Sequence, residues 1–209
     1  AFERLGTGLS WSHFGEMLDV LERSGVAVNV CTLVGHANIR REVVGAEDRP
    51  ATPDEMKQMS DLVSRAMDEG AIGLSSGLIY PPSIYVSTEE LACLSRAVAR
   101  RGGLYATHMR SESDGLLDSV REAISVGEQS GAPVQISHLK ACGTSNHGKA
   151  VRALEMIHEA REKGLDVTAD QYPYTATCTG LDTLIPAWAH SGGPAAMRER
   201  MAEGRCRAR

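Results

Sequence analysis

Two hydrophobic periods alternate along this chain of 209 residues. Phe14, Met17, Leu18 and Leu21 share one face of a helix spanning Ser12 to Ser24, and Gly25 closes it. VAVNVCTLVG (26–35) is then an apolar, β-branched run, long enough for a strand buried on both faces. The charge-rich stretch that follows, ending at Arg49-Pro50, is expected to be a loop. Thr52-Pro53-Asp54-Glu55 reads as a capping box with proline at the first helical position. Met56, Met59, Leu62, Val63 and Met67 continue that helix to a stop at Gly70. The pattern recurs: AIGLSSGL (71–78) predicts a strand, and Ser87 with Glu90 a second capping box, opening a helix that runs to Arg101 with Gly102 as its stop. LYATHM, from Leu104, predicts the third strand, and Leu116 to Gln129 a helix ended by Ser130-Gly131. VQISHLK, from Val134, predicts the fourth strand, Lys149 to Lys163 a helix ended by Gly164, and LDVTADQY (165–172) the fifth strand.

Strands therefore start near Val26, Ala71, Leu104, Val134 and Leu165, and the later spacings are about 30 residues, the size of a βα unit. Such alternation with apolar strands implies an α/β fold on a parallel sheet. The candidates are an open doubly wound sheet and a (β/α)8 barrel. No G-x-G-x-x-G follows a strand, which removes support for a dinucleotide-binding sheet. Chemically able residues stand at the C-terminal end of every strand: His36, Ser75-Ser76, His108, His138 and Asp170. A barrel builds its active site from all its strand ends, an open sheet mainly from one crevice, so the barrel is preferred. Five units do not close an eight-stranded barrel. The opening AFERLGTG, without an initiator Met, suggests a piece of a longer protein.

Composition narrows the function classes. The net charge is -5, and the one Arg-dense patch, Arg198 to Arg209, is short. Phosphate binding needs clustered Lys and Arg, so no nucleic-acid partner is expected. No apolar run approaches the ~20 residues of a membrane helix, and no signal peptide opens the chain, so no membrane partner is expected. Five cysteines (Cys31, Cys93, Cys142, Cys178, Cys206) are scattered without CxxC spacing. Free thiols in a reducing compartment, the cytoplasm, are the expectation.

The strand-end histidines raise the question of a metal. A lone histidine there is usually a satisfied polar residue. His108 and His138, however, end consecutive strands, and adjacent parallel strands lie ~4.8 Å apart, close enough for two imidazoles to converge on one ion. Two ligands are too few for a zinc site, so others must come from elsewhere. His36 is better suited to hydrogen bonding than to ligation. His147 sits in a Gly-rich loop where solvent or substrate contact are both open, and His13, His158 and His190 read as surface or helix residues. Asp170 could be an acid/base or a turn cap. Lys140, two residues after His138 and on the same side of the strand's alternation, could meet a substrate carboxylate or form a structural ion pair. Tyr80 and Tyr172 point toward the mouth, or anchor their loops.

Taken together, LVGHANIR, GAIGLSSGLIYPP, GGLYATHMRSE, PVQISHLKACG and LDVTADQYPYTA closely resemble the N-acyl-D-amino-acid deacylases (D-aminoacylases) of the amidohydrolase superfamily, from about Trp11 to Trp188. The resemblance implies a partial (β/α)8 TIM barrel of the metal-dependent amidohydrolase type, with the five strands as strands three to seven. Residues 1–188 would be the central part of that barrel, and 189–209 the start of a post-strand-seven insertion or a truncated tail. It implies Zn2+, with His108 and His138 as the strand-five and strand-six ligands. The family's His-x-His pair, strand-two cysteine and strand-eight catalytic aspartate have no counterpart here, and neither Cys31 nor Asp170 stands in for them. Tyr80, Lys140 and Tyr172 would hold the substrate α-carboxylate. The implied activity is hydrolysis of the amide of an N-acyl-D-amino acid, a small-molecule substrate, giving a carboxylate and a free D-amino acid. TCTGLDTLIPAW is apolar, and no Arg or Lys lies between Tyr172 and Trp188, which suggests a hydrophobic side chain. The alternatives are a cyclic amidase of the hydantoinase type and a non-catalytic barrel fragment. The first normally carries a carboxylated lysine at the end of strand four, where this chain reads GLSSGL.

Overall fold

A computed structural model describes residues 11–207; the opening AFERLGTG and the last two residues of the terminal GRCRAR lie outside the described residues. Five strands form one parallel sheet in sequential order: β1 (Val34–Gly35), β2 (Gly73–Gly77), β3 (Leu104–His108), β4 (Val134–Ile136) and β5 (Val167–Ala169). The main helices are α1 (Phe14–Ser24), α2 (His36–Val43), α3 (Pro53–Asp68), α4 (Thr88–Ala99), α5 (Leu116–Ser130) and α6 (Lys149–Glu162). Three short ones follow β5: α7 (Ala187–His190), α8 (Gly193–Ala202) and α9 (Gly204–Arg207). Consecutive helices touch, α3 with α4, α4 with α5 and α5 with α6, so they make one layer. A sequentially ordered parallel sheet under one helix layer is the wall of a barrel, not a doubly wound sheet.

The pleat assigns each strand residue a side. Leu74, Tyr105, Val134 and Val167 are level across β2 to β5 and, with Ile136 of β4, join the apolar core with Leu91, Leu94 and Val98 of α4 and Val120 and Val126 of α5. Ser76 also faces this core, where its hydroxyl pairs with Tyr105 Oη at 2.7 Å and Thr107 Oγ1 at 3.1 Å; it is not at the mouth. The opposite face carries Gly73, Ser75, Ala106, His108 and Gln135. Gly73 is required there, because a Cβ would run into the Leu104 carbonyl. The glycine stops at 25, 70, 102, 131 and 164 all have positive φ, the conformation that ends a helix most readily on glycine.

Several expectations need correction. The run 26–35 pairs only through Val34–Gly35, and Val26, Val28 and Val30 are exposed, because the outer edge of β1 has no neighbour among the described residues. The charged stretch after it is not all loop but begins with α2, whose buried face is His36, Ile39 and Arg40. Two of those three are polar, so the hydrophobic period is silent. β4 and β5 stop earlier than expected, at Ile136 and Ala169. Ser87 caps α4 through the Glu90 N–H at 3.2 Å, but the Glu90 carboxylate turns inward to Arg40 and His36 instead of closing a box. His190 is a helix residue, the last of α7, but not a surface one: it is buried, with Nε2 against the carbonyls of Asp182 and Ile185. No described helix is long and apolar enough to cross a membrane.

Candidate metal and substrate site

His108 is the last residue of β3, level with Gly77 at the end of β2. His138 lies two residues beyond β4, where the chain has left the ladder. Its φ of 44° makes it the one non-glycine residue with positive φ among those described. That conformation costs of order 1–3 kcal/mol for such a residue and persists only where the surroundings hold it. Here Asp170 holds it: Oδ1 accepts the His138 N–H at 2.6 Å, Oδ2 accepts the Gln135 amide at 2.7 Å, and its carbonyl accepts the Leu139 N–H at 2.8 Å. Asp170 is thus a clamp on the turn that carries His138.

The result is convergence. His108 Nδ1 and His138 Nε2 stand 2.9 Å apart, and the two rings meet edge to face at 4.6 Å. On the far side of His138, Nδ1 lies 2.8 Å from Glu112 Oε1. Lys140 Nζ donates to the same Glu112 oxygen at 2.5 Å and lies 2.9 Å from His138 Nδ1. His108, Glu112 and His138 form the one group of three or more potential metal-binding side chains among the described residues. Burial pushes the His108 imidazole below its ordinary pKa; the nearby Glu112 charge opposes the shift, and His138 and Lys140 add to it. A neutral imidazole keeps a lone pair for an ion.

The donor set suits a metal. Two nitrogens on one tetrahedral ion with bonds of about 2.0–2.1 Å would be roughly 3.3 Å apart, a few tenths more than the separation seen. Glu112 opposite Nδ1 fixes the His138 tautomer that presents Nε2, an arrangement typical of metal-bound histidine. Glu112 was not singled out from the sequence. Its only signal there was an acid four residues after a strand-end histidine, inside THMRSE.

Tyr80, Lys140 and Tyr172 are brought to the same place. A cavity of about 500 Å³ is lined by all three with His108, Glu112 and His138. The Tyr80 ring lies 5.4 Å from His108, and its hydroxyl meets Thr179 Oγ1 at 2.8 Å. Tyr172 stacks at a tilt 6.2 Å from His138, under the Lys140 ammonium at 5.1 Å. Its hydroxyl is buried without a hydrogen-bond partner. An adjoining cavity of about 530 Å³ runs past Lys140 to Cys142 and the exposed His147. Of the apolar loop 177–188, only Thr177, Cys178 and Thr179 line these cavities; Leu181 and Leu184 project into solvent. The alternation argument for Lys140 fails, since β4 has already ended, yet the turn at His138 brings the two side chains together.

Comparison with known proteins gives the same picture. The chain is 38% identical over 176 residues to a D-aminoacylase of Alcaligenes xylosoxydans xylosoxydans, a match covering 84% of this chain and 36% of that protein. The chain belongs to the D-aminoacylase family of amidohydrolases. An N-acyl-D-glutamate deacylase of the same organism is 35% identical over 188 residues, covering 89% of this chain and 38% of its own. The crystal structure of an N-acyl-D-glutamate deacylase from Bordetella bronchiseptica, complexed with zinc and a phosphonate mimic of the reaction's tetrahedral intermediate, superimposes with a TM-score of 0.76. It is 33% identical, and the match covers 80% of this chain and 36% of that one. A D-hydantoinase structure, 14% identical with a TM-score of 0.52, shares the fold alone; the match covers 86% of this chain and 40% of that one. No protein-family model matches the chain. The chain spans a little over a third of the length of the D-aminoacylase relatives it matches, and its five parallel strands correspond to part of their barrel.

Proposed function

We propose that the protein contributes the metal-binding wall and the carboxylate pocket of a zinc-dependent N-acyl-D-amino-acid deacylase, which hydrolyses the amide to a carboxylate and a free D-amino acid. The observation that carries this reading is the pairing of His108 Nδ1 with His138 Nε2, backed by Glu112, at the strand ends of a D-aminoacylase-family sheet. His108 and His138 are the residues that would hold zinc. When bound, zinc would supply an acidified water and polarise the amide carbonyl. Glu112 fixes the His138 tautomer, and Asp170 fixes its backbone.

Lys140, Tyr80 and Tyr172 receive the substrate α-carboxylate. An ammonium has three donors, so Lys140 can keep Glu112 and still meet an incoming carboxylate. The buried, unpartnered Tyr172 hydroxyl is the free donor beside it. A cation and two phenols at fixed positions hold the α-carbon in one orientation, which is how a site tells D from L. No residue of this chain is assigned to protonate the leaving amine; the family resemblance places that aspartate after strand eight.

Completed by the segment that carries that aspartate, the zinc-loaded protein should hydrolyse N-acetyl-D-methionine in preference to its L-isomer. Equal turnover of the two isomers would contradict the reading, and turnover of neither would favour the non-catalytic barrel fragment. Lys140→Ala should raise KM for the D-substrate about 10- to 100-fold, the worth of one charged hydrogen bond, with a smaller effect on kcat. An unchanged KM would remove Lys140 from the carboxylate site. Asp170→Ala should weaken zinc binding by about 10- to 100-fold in a chelator competition, because His138 loses the bond that holds its turn. Unaltered zinc affinity would show that the turn stands without Asp170.

A further inference from the structure

A buried charged cluster outside the cleft is connected to the turn that carries Tyr80. This turn leaves β2 and ends at the N-cap of α4, and its Ile84 N–H donates to the Tyr80 carbonyl at 2.9 Å. Gly77 leaves room for the Tyr80 ring to fold back, since a Cβ there would stand 2.9 Å from its Cδ2. Ser83 is fully buried, and its Oγ lies 2.7 Å from Nδ1 of the equally buried His36. His36 Nε2 lies 3.2 Å from Glu90 Oε1, and Arg40 Nη1 reaches both Glu90 oxygens at 2.6 Å. A carboxylate can only accept, so Nε2 carries the proton and Nδ1 is left for the Ser83 hydroxyl. From the other side, Arg110 donates to the carbonyls of Ile84 and Val86 at 2.9 Å each, while Glu122 holds its guanidinium.

Burying such charges is expensive, and an apolar core of the same volume would stabilise the fold at least as well. What the cluster adds is a fixed address for the turn. The side chains that grip it, His36 and Arg110, come from the units on either side of β2.

We propose that His36 is a positioning residue for the cleft: through Ser83 it fixes the turn from which Tyr80 reaches His108. The proposal rests on the reading of Tyr80 as a substrate contact. Ser83→Ala deletes one buried oxygen and is the mildest way to cut the link. In the full zinc-loaded chain it should speed hydrogen exchange at the Ile84 and Val86 amides by about ten-fold, leaving those of Leu94 to Val98 unchanged. Affinity for N-acetyl-D-methionine should fall by about ten-fold. Tyr80→Phe should weaken the same affinity, and the double variant should bind no more weakly than Tyr80→Phe alone, because Ser83 acts only through Tyr80. Additive losses, or unaltered exchange in the turn, would overturn the proposal. A Tyr80→Phe protein that binds as well as the parent would instead overturn the substrate role of Tyr80, a separate result, and the positioning role would fall with it.

Discussion

Replacing His108 and His138 together with alanine is expected to reduce the zinc held by the purified chain to background. The expectation follows from ligand counting. Zinc is held by three or four protein donors, and the described residues offer a single cluster of suitable side chains, in which these two imidazoles are the only nitrogens facing each other. Removing them leaves Glu112, a lone carboxylate already engaged by Lys140. Metal analysis after gel filtration in chelator-treated buffer would read the difference. Zinc retained by the double variant would place the metal elsewhere and dissolve the proposed site.

Arg40→Met is expected to destabilise the protein by about 3–5 kcal/mol, the usual consequence of leaving one member of a buried ion pair without its partner. Arg40 is fully buried and Glu90 nearly so. Burial pushes the Glu90 carboxyl pKa up, but the hydrogen bonds from His36 and Arg40 outweigh it and leave the group below its ordinary value. Its contribution is therefore complete above the unfolded pKa and is lost as pH falls through the lowered folded one, so the deficit of the variant should shrink in acid. Urea unfolding at neutral and acidic pH would measure both. The exposed Lys57–Asp61 pair makes the control: breaking it should leave the urea midpoint where it was. A midpoint for Arg40→Met equal to that of the parent would mean that Glu90 finds water or another donor.

The architecture was legible because each βα unit repeats the same signals. Capping residues open α3 and α4, a glycine follows each helix, and short segments with apolar residues at core-facing positions mark β2, β3 and β4. The edges were misread for a common reason. The runs around Val26 and Leu165 have strand composition, but a strand exists only where a neighbour pairs with it, and among the described residues each has a neighbour on one side only. The α2 helix was invisible because it buries an imidazole and a guanidinium, which a hydrophobic pattern counts as surface. Within the site, His108, His138, Lys140, Tyr80 and Tyr172 were picked out and do converge. Glu112 and the clamp by Asp170 depend on a turn whose left-handed residue is a histidine, and no sequence rule points to that.

One property of the cleft lies in its order along the chain. His108, Glu112, His138 and Lys140 all fall between Leu104 and Lys140, inside one strand–helix–strand unit, whereas Tyr172 arrives with the next. During synthesis, at roughly 5–20 residues per second, the nitrogen pair and its acidic neighbour are therefore all made seconds before Tyr172 and before Asp170, whose carboxylate holds the His138 turn. A nascent chain halted just after Lys140 has cleared the ribosome would carry the side chains of the ion-facing wall without the carboxylate that sets the His138 turn and without the second phenol of the cavity.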